Sequence, residues 1–272
     1  IYIHNLCDVV NCFTFETMCY IIKFQADISQ HPYPKYIARI HRLCLSVLQT
    51  IYNSREKRTF VMKNMLNFKN FTADELMDIL NLALDMKKNP DKYAHALEGK
   101  KLYTLFEKTS TRTFLSFTTG ITELGGTYYN QLWKDSNFTL GEPVSEIKYV
   151  CRNVDIIMAR LVKNETVELF GNNVTVPFIN GCDSSYHPCQ ILADALTIIE
   201  KFGSLDVKLM YIGAKNNVFN SLVEFFAKMK KGTIYGLTPL VNNTVCGDDF
   251  FEAAKATGHY IAVSYTHLRA HE

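Results

Sequence analysis

The sequence has few of the features that mark several large functional classes. None of its 272 residues fall in an uninterrupted apolar run of about 18, so no membrane-spanning helix is expected. The opening stretch is broken by Asn5, Asp8, Asn11 and Glu16, and it has neither a basic leader nor a cleavage pattern, so a secretory signal finds no support. Basic and acidic residues number 29 and 27, a net charge of +2, and no basic stripe is interleaved with aromatics. Nucleic acid and acidic membranes are therefore not expected as partners. No internal repeat is present. None of the eight cysteines forms a Cys-x-x-Cys pair, so the plain reading is free, buried thiols in a reducing, cytoplasmic setting. Cys182, His187 and Cys189 lie close in sequence, but they lack a fourth ligand and zinc-finger spacing, and no metal or other cofactor is expected.

With 47% hydrophobic and 21% charged residues, the chain can bury a substantial core in one or two domains. From Met62 onward the pattern is regular. Thr72-Ala73-Asp74-Glu75 reads as a capped, acidic helix start, with apolar residues at Leu76, Ile79, Leu80 and Leu82 to Leu84. Lys87-Lys88 and then Asn89-Pro90 end that helix. An apolar strand at 101–106 is followed by Glu107-Lys108-Thr109-Ser110-Thr111-Arg112-Thr113 and an amphipathic run from Phe114. The polar residues thus sit at a helix N-terminus, where unpaired backbone N–H groups, the hydroxyls of Ser110, Thr111 and Thr113 and the forked guanidinium of Arg112 can cradle a dianionic phosphate. By itself the motif is equally an ordinary hydroxyl cap beside a solvated arginine.

A second strand-loop-helix junction changes the weighting. The strand 174–179, a short polar loop with Asn180-Gly181, and the helix 191–201 place His187-Pro188-Cys189-Gln190 at the end of another strand. Arg160 ends a third, 154–159. In a parallel α/β sheet such junctions share one crevice. There a neutral imidazole beside an arginine polarises a carbonyl oxygen, and a glutamine holds an amide. Ser-Thr-Arg-Thr, an arginine and His-Pro-x-Gln at this spacing resemble the aspartate/ornithine carbamoyltransferases, over roughly residues 62–262.

The resemblance implies an α/β fold: a carbamoyl-phosphate-binding domain with a parallel sheet flanked by helices at 62–203, and the start of a second, Rossmann-like domain that binds the amino acid at 204–263. Strands at 207–212, 233–238 and 260–263 and helices at 217–230 and 248–257 would form the latter. It also implies that Ser110, Thr111, Arg112 and Thr113 bind phosphate while Arg160, His187 and Gln190 hold the carbamoyl end, with Arg112, Arg160 and His187 catalytic and no cofactor. Lys108, two residues before Ser110, is typical of the ornithine branch. Gly213-Ala214-Lys215-Asn216-Asn217 resembles the turn that places an asparagine on ornithine, so Asn217, with Asn216 beside it, is the candidate. Ala214 departs from the usual aspartate there, and the Asn-Asn pair reads alternatively as a turn and helix cap.

Residues 131–143 look like the loop that enters a neighbouring subunit's site. Glu142-Pro143 stands where aspartate enzymes present a lysine, Lys134 is a weaker phosphate candidate, and Trp133 is either a substrate wall or an interface anchor. The implied activity is transfer of the carbamoyl group of carbamoyl phosphate to the δ-amine of L-ornithine, giving citrulline, in a homotrimer. Aspartate, putrescine or an acylated ornithine as acceptor, or a non-catalytic binding role, are the alternatives. Residues 1–61 show weak periodicity and read as upstream sequence ahead of a start at Met62 or Met65; an N-terminal targeting peptide is the alternative, against which Asp8, Glu16, Asp27 and the scarcity of arginine before Arg39 count. Residues 264–272 read as a foreign tail, and the family's closing loop is not found, so the chain is expected to bind carbamoyl phosphate without making citrulline. A chain beginning at Met62 should match the full chain's melting temperature in a thermal scan; a clear drop would show that residues 1–61 contribute to the fold.

Overall fold

Thr72 begins the first helix through a reciprocal cap. Its Oγ1 accepts the Glu75 N–H at 3.2 Å, and the Glu75 carboxylate accepts the Thr72 N–H at 2.8 Å. The computed structural model describes residues 64–238 and 246–263, so the readings of 1–61 and 264–272 lie outside the described residues. Helix α1 (Ala73–Lys88) buries Leu76, Ile79, Leu80, Ala83 and Met86 on one face and stops at Asn89, ahead of Pro90.

The next elements alternate: β1 (Lys101–Phe106), α2 (Thr111–Glu123), β2 (Thr127–Leu132), α3 (Pro143–Cys151), β3 (Ile156–Arg160), α4 (Asn164–Gly171), β4 (Phe178–Cys182) and α5 (Pro188–Phe202). The four strands form one parallel sheet in the order β2-β1-β3-β4. Side chains alternate between its faces. Leu102, Phe106, Ile156 and Met158 join one apolar cluster with α1 and α5, while Leu105, Ile157 and Ala159 join another with Ile147, Val167 and Phe170 from α3 and α4. The chain order reverses between β1 and β3, so the carboxyl ends of those strands flank the crevice where α/β sheets bind ligands.

A second parallel sheet follows, in the order β5-β6-β7, built from β5 (Lys208–Ile212), α6 (Asn217–Met229), β6 (Thr233–Leu237), α7 (Asp248–Ala256) and β7 (Tyr260–Ala262). Its packing centres on Phe219, whose ring lies 4.5 Å from Tyr211, 5.9 Å from Phe251 and 5.8 Å from Tyr260, centroid to centroid. Gly236 makes room for it, since a Cβ there would sit 2.8 Å from the Phe219 ring. The expected α/β class and two parallel sheets are observed.

Several local readings need correction. The strand expected at 174–179 runs instead from Phe178 to Cys182. Pro177 has no N–H to give a ladder, and it lies just before the strand with its carbonyl accepting from Ile157 at 2.9 Å. Asn180 and Gly181, expected in a loop, are strand residues. Asn180 is fully buried, its amide donating to the Leu66 carbonyl and the Asp183 carboxylate, both at 2.9 Å. Gly181 is required by close approach, because a Cβ there would lie 2.5 Å from the Met158 sulfur. Helix α5 starts at Pro188 rather than 191, with His187 as its cap. The Trp133 ring stacks 5.2 Å from Phe138 and 6.1 Å from Phe170, partly buried against the chain's own apolar cluster. Glu142-Pro143 is a helix start, the Glu142 carboxylate accepting the N–H groups of Val144 and Ser145.

Phe219→Ala should destabilise the fold by about 3–5 kcal/mol, the usual result of emptying a packed aromatic site. Urea unfolding checks this, and a loss under about 1 kcal/mol would mean that the second sheet does not unfold with the first.

Candidate functional site

Three strand ends meet in register. Phe106 of β1 pairs with Arg160 of β3, and Arg160 pairs with Cys182 of β4. The register shifts between Ala159 and Arg160, a local irregularity of the kind that re-aims a side chain at a strand end. The chain beyond Phe106 leads to the α2 N-terminus and the chain beyond Cys182 leads to His187. Ser110, Arg112, Thr113, Arg160, His187 and Gln190 consequently line a single pocket, together with Ser116, Phe117, Gly181 and Cys189.

Ser110 is the α2 cap. Its Oγ accepts the Thr113 N–H at 3.4 Å and donates to Thr113 Oγ1 at 3.0 Å. Arg160 Nη1 donates to the same Thr113 Oγ1 at 3.4 Å. Helix terminus, hydroxyls and guanidinium thus form one connected set with Arg112 at its rim. Thr111 occupies the first position of α2 but is exposed and does not line the pocket. Lys108 and Lys134 are exposed and lie outside the lining.

His187 sits deeper. Its backbone N–H donates to Ser221 Oγ at 2.8 Å, while its ring Nδ1 is buried without a hydrogen-bond partner among the described residues. Burial, reinforced by the positive charge of Arg160, pulls its pKa from the ordinary 6.5 to about 3, so the imidazole is neutral throughout the physiological range. The unfolded chain takes up a proton near 6.5 and the folded chain only near 3, so His187 lowers stability as pH falls through that window. Asp194, one turn along α5 from Gln190, accepts the Gln190 Nε2–H at 3.0 Å. Burial pushes its carboxyl from 3.8 up to about 7, the Gln190 bond opposing, so Asp194 lowers stability as pH rises from 3.8 through 7. Cys189 faces the pocket, but burial pushes its thiol up to about 12, leaving it unreactive. Among the described residues no three His, Cys, Asp or Glu side chains gather as a metal site, and no helix is long and apolar enough to cross a membrane.

The two asparagines are placed differently from the rest. Asn216 is the α6 cap, its Oδ1 accepting the N–H groups of Val218 and Phe219 at 3.1 and 3.0 Å, as the alternative reading of that pair had it. Asn217 Nδ2 donates to the Asp183 carbonyl at 2.6 Å and to Cys182 Sγ at 3.2 Å, and neither asparagine lines the pocket. Sequence reasoning named Gly181 only as a loop residue and passed over the lining residues Ser116 and Phe117 and the Gln190 partner Asp194. The spacing of Asp194 four residues after Gln190 on one helix was the signal available for it. Chemically, the pocket offers a helix N-terminus and two guanidinium groups for a dianion, and a neutral imidazole and an amide for an adjoining polar carbonyl group.

The family described as aspartate/ornithine carbamoyltransferase, carbamoyl-P binding domain, matches residues 63–200. The ornithine carbamoyltransferase of Listeria innocua serovar 6a is 43% identical over 163 residues, which cover 59% of this chain and 52% of that protein. Among solved structures, the ornithine carbamoyltransferase of Pyrococcus furiosus is similar with a TM-score of 0.66 and 32% identity, over 74% of this chain and 66% of that one. The catalytic subunit of M. jannaschii aspartate transcarbamoylase is similar with a TM-score of 0.65 and 30% identity, over 74% of this chain and 68% of that one. The chain spans about half the length of the curated relatives it matches.

In an NMR titration the His187 ring should show no protonation step between about pH 8 and 5, unlike an ordinary histidine. A titration midpoint near the unperturbed value would show the ring to be solvated.

Proposed function

The chain belongs to the aspartate/ornithine carbamoyltransferase family, and on that premise we propose that its pocket binds carbamoyl phosphate and that the whole protein carbamoylates L-ornithine at the δ-amine. The observation that carries this is the convergence of Ser110, Arg112, Thr113, Arg160, His187 and Gln190 from three strand ends on one pocket. In this reading the phosphate lies at the α2 N-terminus against Ser110, Thr113 and Arg112, with Thr111 contributing from its exposed position. The carbamoyl oxygen faces Arg160 and His187, and the carbamoyl amide faces Gln190.

The uncharged amine attacks the carbamoyl carbon through its lone pair. The carbonyl electrons move onto the oxygen, where the Arg160 charge and a neutral imidazole N–H stabilise the oxyanion. Collapse breaks the bond from carbon to the bridging oxygen. Phosphate leaves with that electron pair and takes up the proton that the amine gives up, so citrulline and hydrogen phosphate result. A neutral His187 suits this role, because it donates a hydrogen bond without adding a second charge beside Arg160.

The same reading assigns residues 62–203 to carbamoyl phosphate and 204–263 to the amino acid, with Asn217 and Asn216 on the ornithine side. It makes the whole protein a cytoplasmic homotrimer acting in arginine metabolism. A second reading, with aspartate or another amine as acceptor, is favoured by the engagement of the Asn217 amide with Asp183 instead of the pocket. Product analysis of the whole protein with ornithine or aspartate as acceptor separates the two.

Arg112→Ala should weaken carbamoyl phosphate binding by about 100-fold, the scale of losing a charge-assisted bidentate contact. Calorimetry on the 272-residue chain measures it. Unchanged affinity would remove Arg112 from the phosphate cradle.

A further inference from the structure

Asp183 directly follows β4, is only 3% exposed, and accepts four hydrogen bonds on its carboxylate, every one from a neutral N–H group. Oδ1 takes the backbone N–H groups of Ser185 and Tyr186 at 2.6 and 2.7 Å, and Oδ2 takes the side-chain amides of Asn164 and Asn180, both at 2.9 Å. Its own backbone N–H donates to the Tyr186 carbonyl at 3.0 Å. One residue thus closes the turn 183–186 at both ends, and ties it to the start of α4 and to β4. Only an ionised carboxylate accepts from all four donors, since an amide or a protonated acid sets a hydrogen against one of them. Burial pushes the Asp183 carboxyl upward from the ordinary range, and the four donors oppose that shift.

The turn ends on His187, the α5 cap, so its closure sets where the chain enters that helix. No hydrogen bond joins the two side chains, and the influence of Asp183 on the imidazole runs through the backbone of the turn. We propose that Asp183 is a positioning residue for His187: by closing the turn it fixes where the imidazole enters the pocket, and through the imidazole it fixes the hold on the carbonyl oxygen of a bound carbamoyl group. This rests on the carbamoyl phosphate reading above and deepens it. The phosphate cradle is built on α2, to which none of the Asp183 hydrogen bonds runs. Loosening the turn therefore weakens the carbonyl end of the pocket and spares the phosphate end.

The test uses the full 272-residue chain and two variants, with two readings on each. Asp183→Ala removes all four acceptor contacts, and Asp183→Asn keeps one oxygen for the turn while setting an –NH2 against the neighbouring amides. The first reading is NMR titration of the His187 ring, beside which Arg160 is the charged neighbour. The ring should stay neutral from about pH 8 to 5 in the unsubstituted chain and gain a protonation step in Asp183→Ala as water reaches it. The second is calorimetric binding of carbamoyl phosphate and of inorganic phosphate. Asp183→Ala should weaken carbamoyl phosphate by about tenfold, the scale of one hydrogen bond lost, with inorganic phosphate unchanged. Asp183→Asn should move both readings the same way by less, and it carries the test if Asp183→Ala does not fold. A folded variant whose ring still does not titrate and whose carbamoyl phosphate affinity is kept would overturn the proposal. Loss of inorganic phosphate binding to the same degree would also overturn it, because Asp183 would then be supporting the whole site. An unsubstituted chain that binds inorganic phosphate but not carbamoyl phosphate sinks the carbamoyl phosphate reading, and the ring titration, which needs no ligand, then decides by itself whether Asp183 places His187.

Discussion

Phe106, Arg160 and Cys182 lie side by side across three parallel strands, and the pocket is delivered from just beyond that line. Parallel pairing is what makes this possible, because it brings all three carboxyl ends to one edge and leaves a loop and a helix start after each. If β1, β3 or β4 slipped by one residue, the side chains of that strand would change faces, and its end would present different groups. The register is held from both sides by apolar clusters that interleave along the same strands, with Leu102 and Phe106 on one face and Leu105 on the other. Core and pocket are therefore specified by one arrangement, and the residues that line the pocket add no separate folding requirement.

The site is nevertheless costly to hold. A buried imidazole beside a guanidinium stays neutral through a range in which a free histidine would be charged. Its Nδ1 lacks a hydrogen-bond partner among the described residues, and a buried polar atom in that condition costs about 1–3 kcal/mol. Cys182 adopts a φ of 150°, a sparsely populated region for a residue with a side chain. Its N–H donates to Asn180 Oδ1 at 3.0 Å, its carbonyl accepts from Leu161 at 3.2 Å, and the Asn217 amide approaches its sulfur at 3.2 Å, so the conformation is held from three directions. Such concentrations of unfavourable local terms are expected where the geometry serves binding and not stability.

Much of this was legible because it depends on local chemistry. The capping box at Thr72, the periodic helices and the apolar runs at 101–106 and 208–212 all follow from side-chain pattern and turn residues. The polar groups after them follow from the strand-to-helix junctions. What escaped is set by tertiary contact. β2, with Thr127 to Asn130 all exposed, has no buried face to give an alternating pattern, so its strand state comes only from pairing with β1. Asn180-Gly181 carries the composition of a loop, yet the close approach of Met158 and the carbonyl of Leu66 place it within the sheet. Pairings such as Asn217 with Asp183 join positions 34 residues apart, and no local pattern encodes them.

Those long-range pairings are concentrated on one helix. Along α6, Asn217 bonds the Asp183 carbonyl, Asn220 the Ser185 carbonyl and Ser221 the His187 N–H, while the Glu224 carboxylate accepts from Phe68 at 2.9 Å. Spacings of three and four put these residues on one stripe of a helix whose other faces are largely apolar. The stripe grips the loop between Cys182 and Pro188, the segment that carries His187 into the pocket. Burying Asn220, Ser221 and Glu224 against apolar surroundings is unfavourable unless each finds a partner, and the partners are backbone groups of that loop and of Phe68, although the Asn220 Oδ1 is left without one among the described residues. The consequence is a loop held by hydrogen bonds of defined direction instead of by shape alone, so the imidazole is positioned by the second sheet's helix as much as by the strand that precedes it. A pocket at the end of one sheet thereby depends on an element of the other.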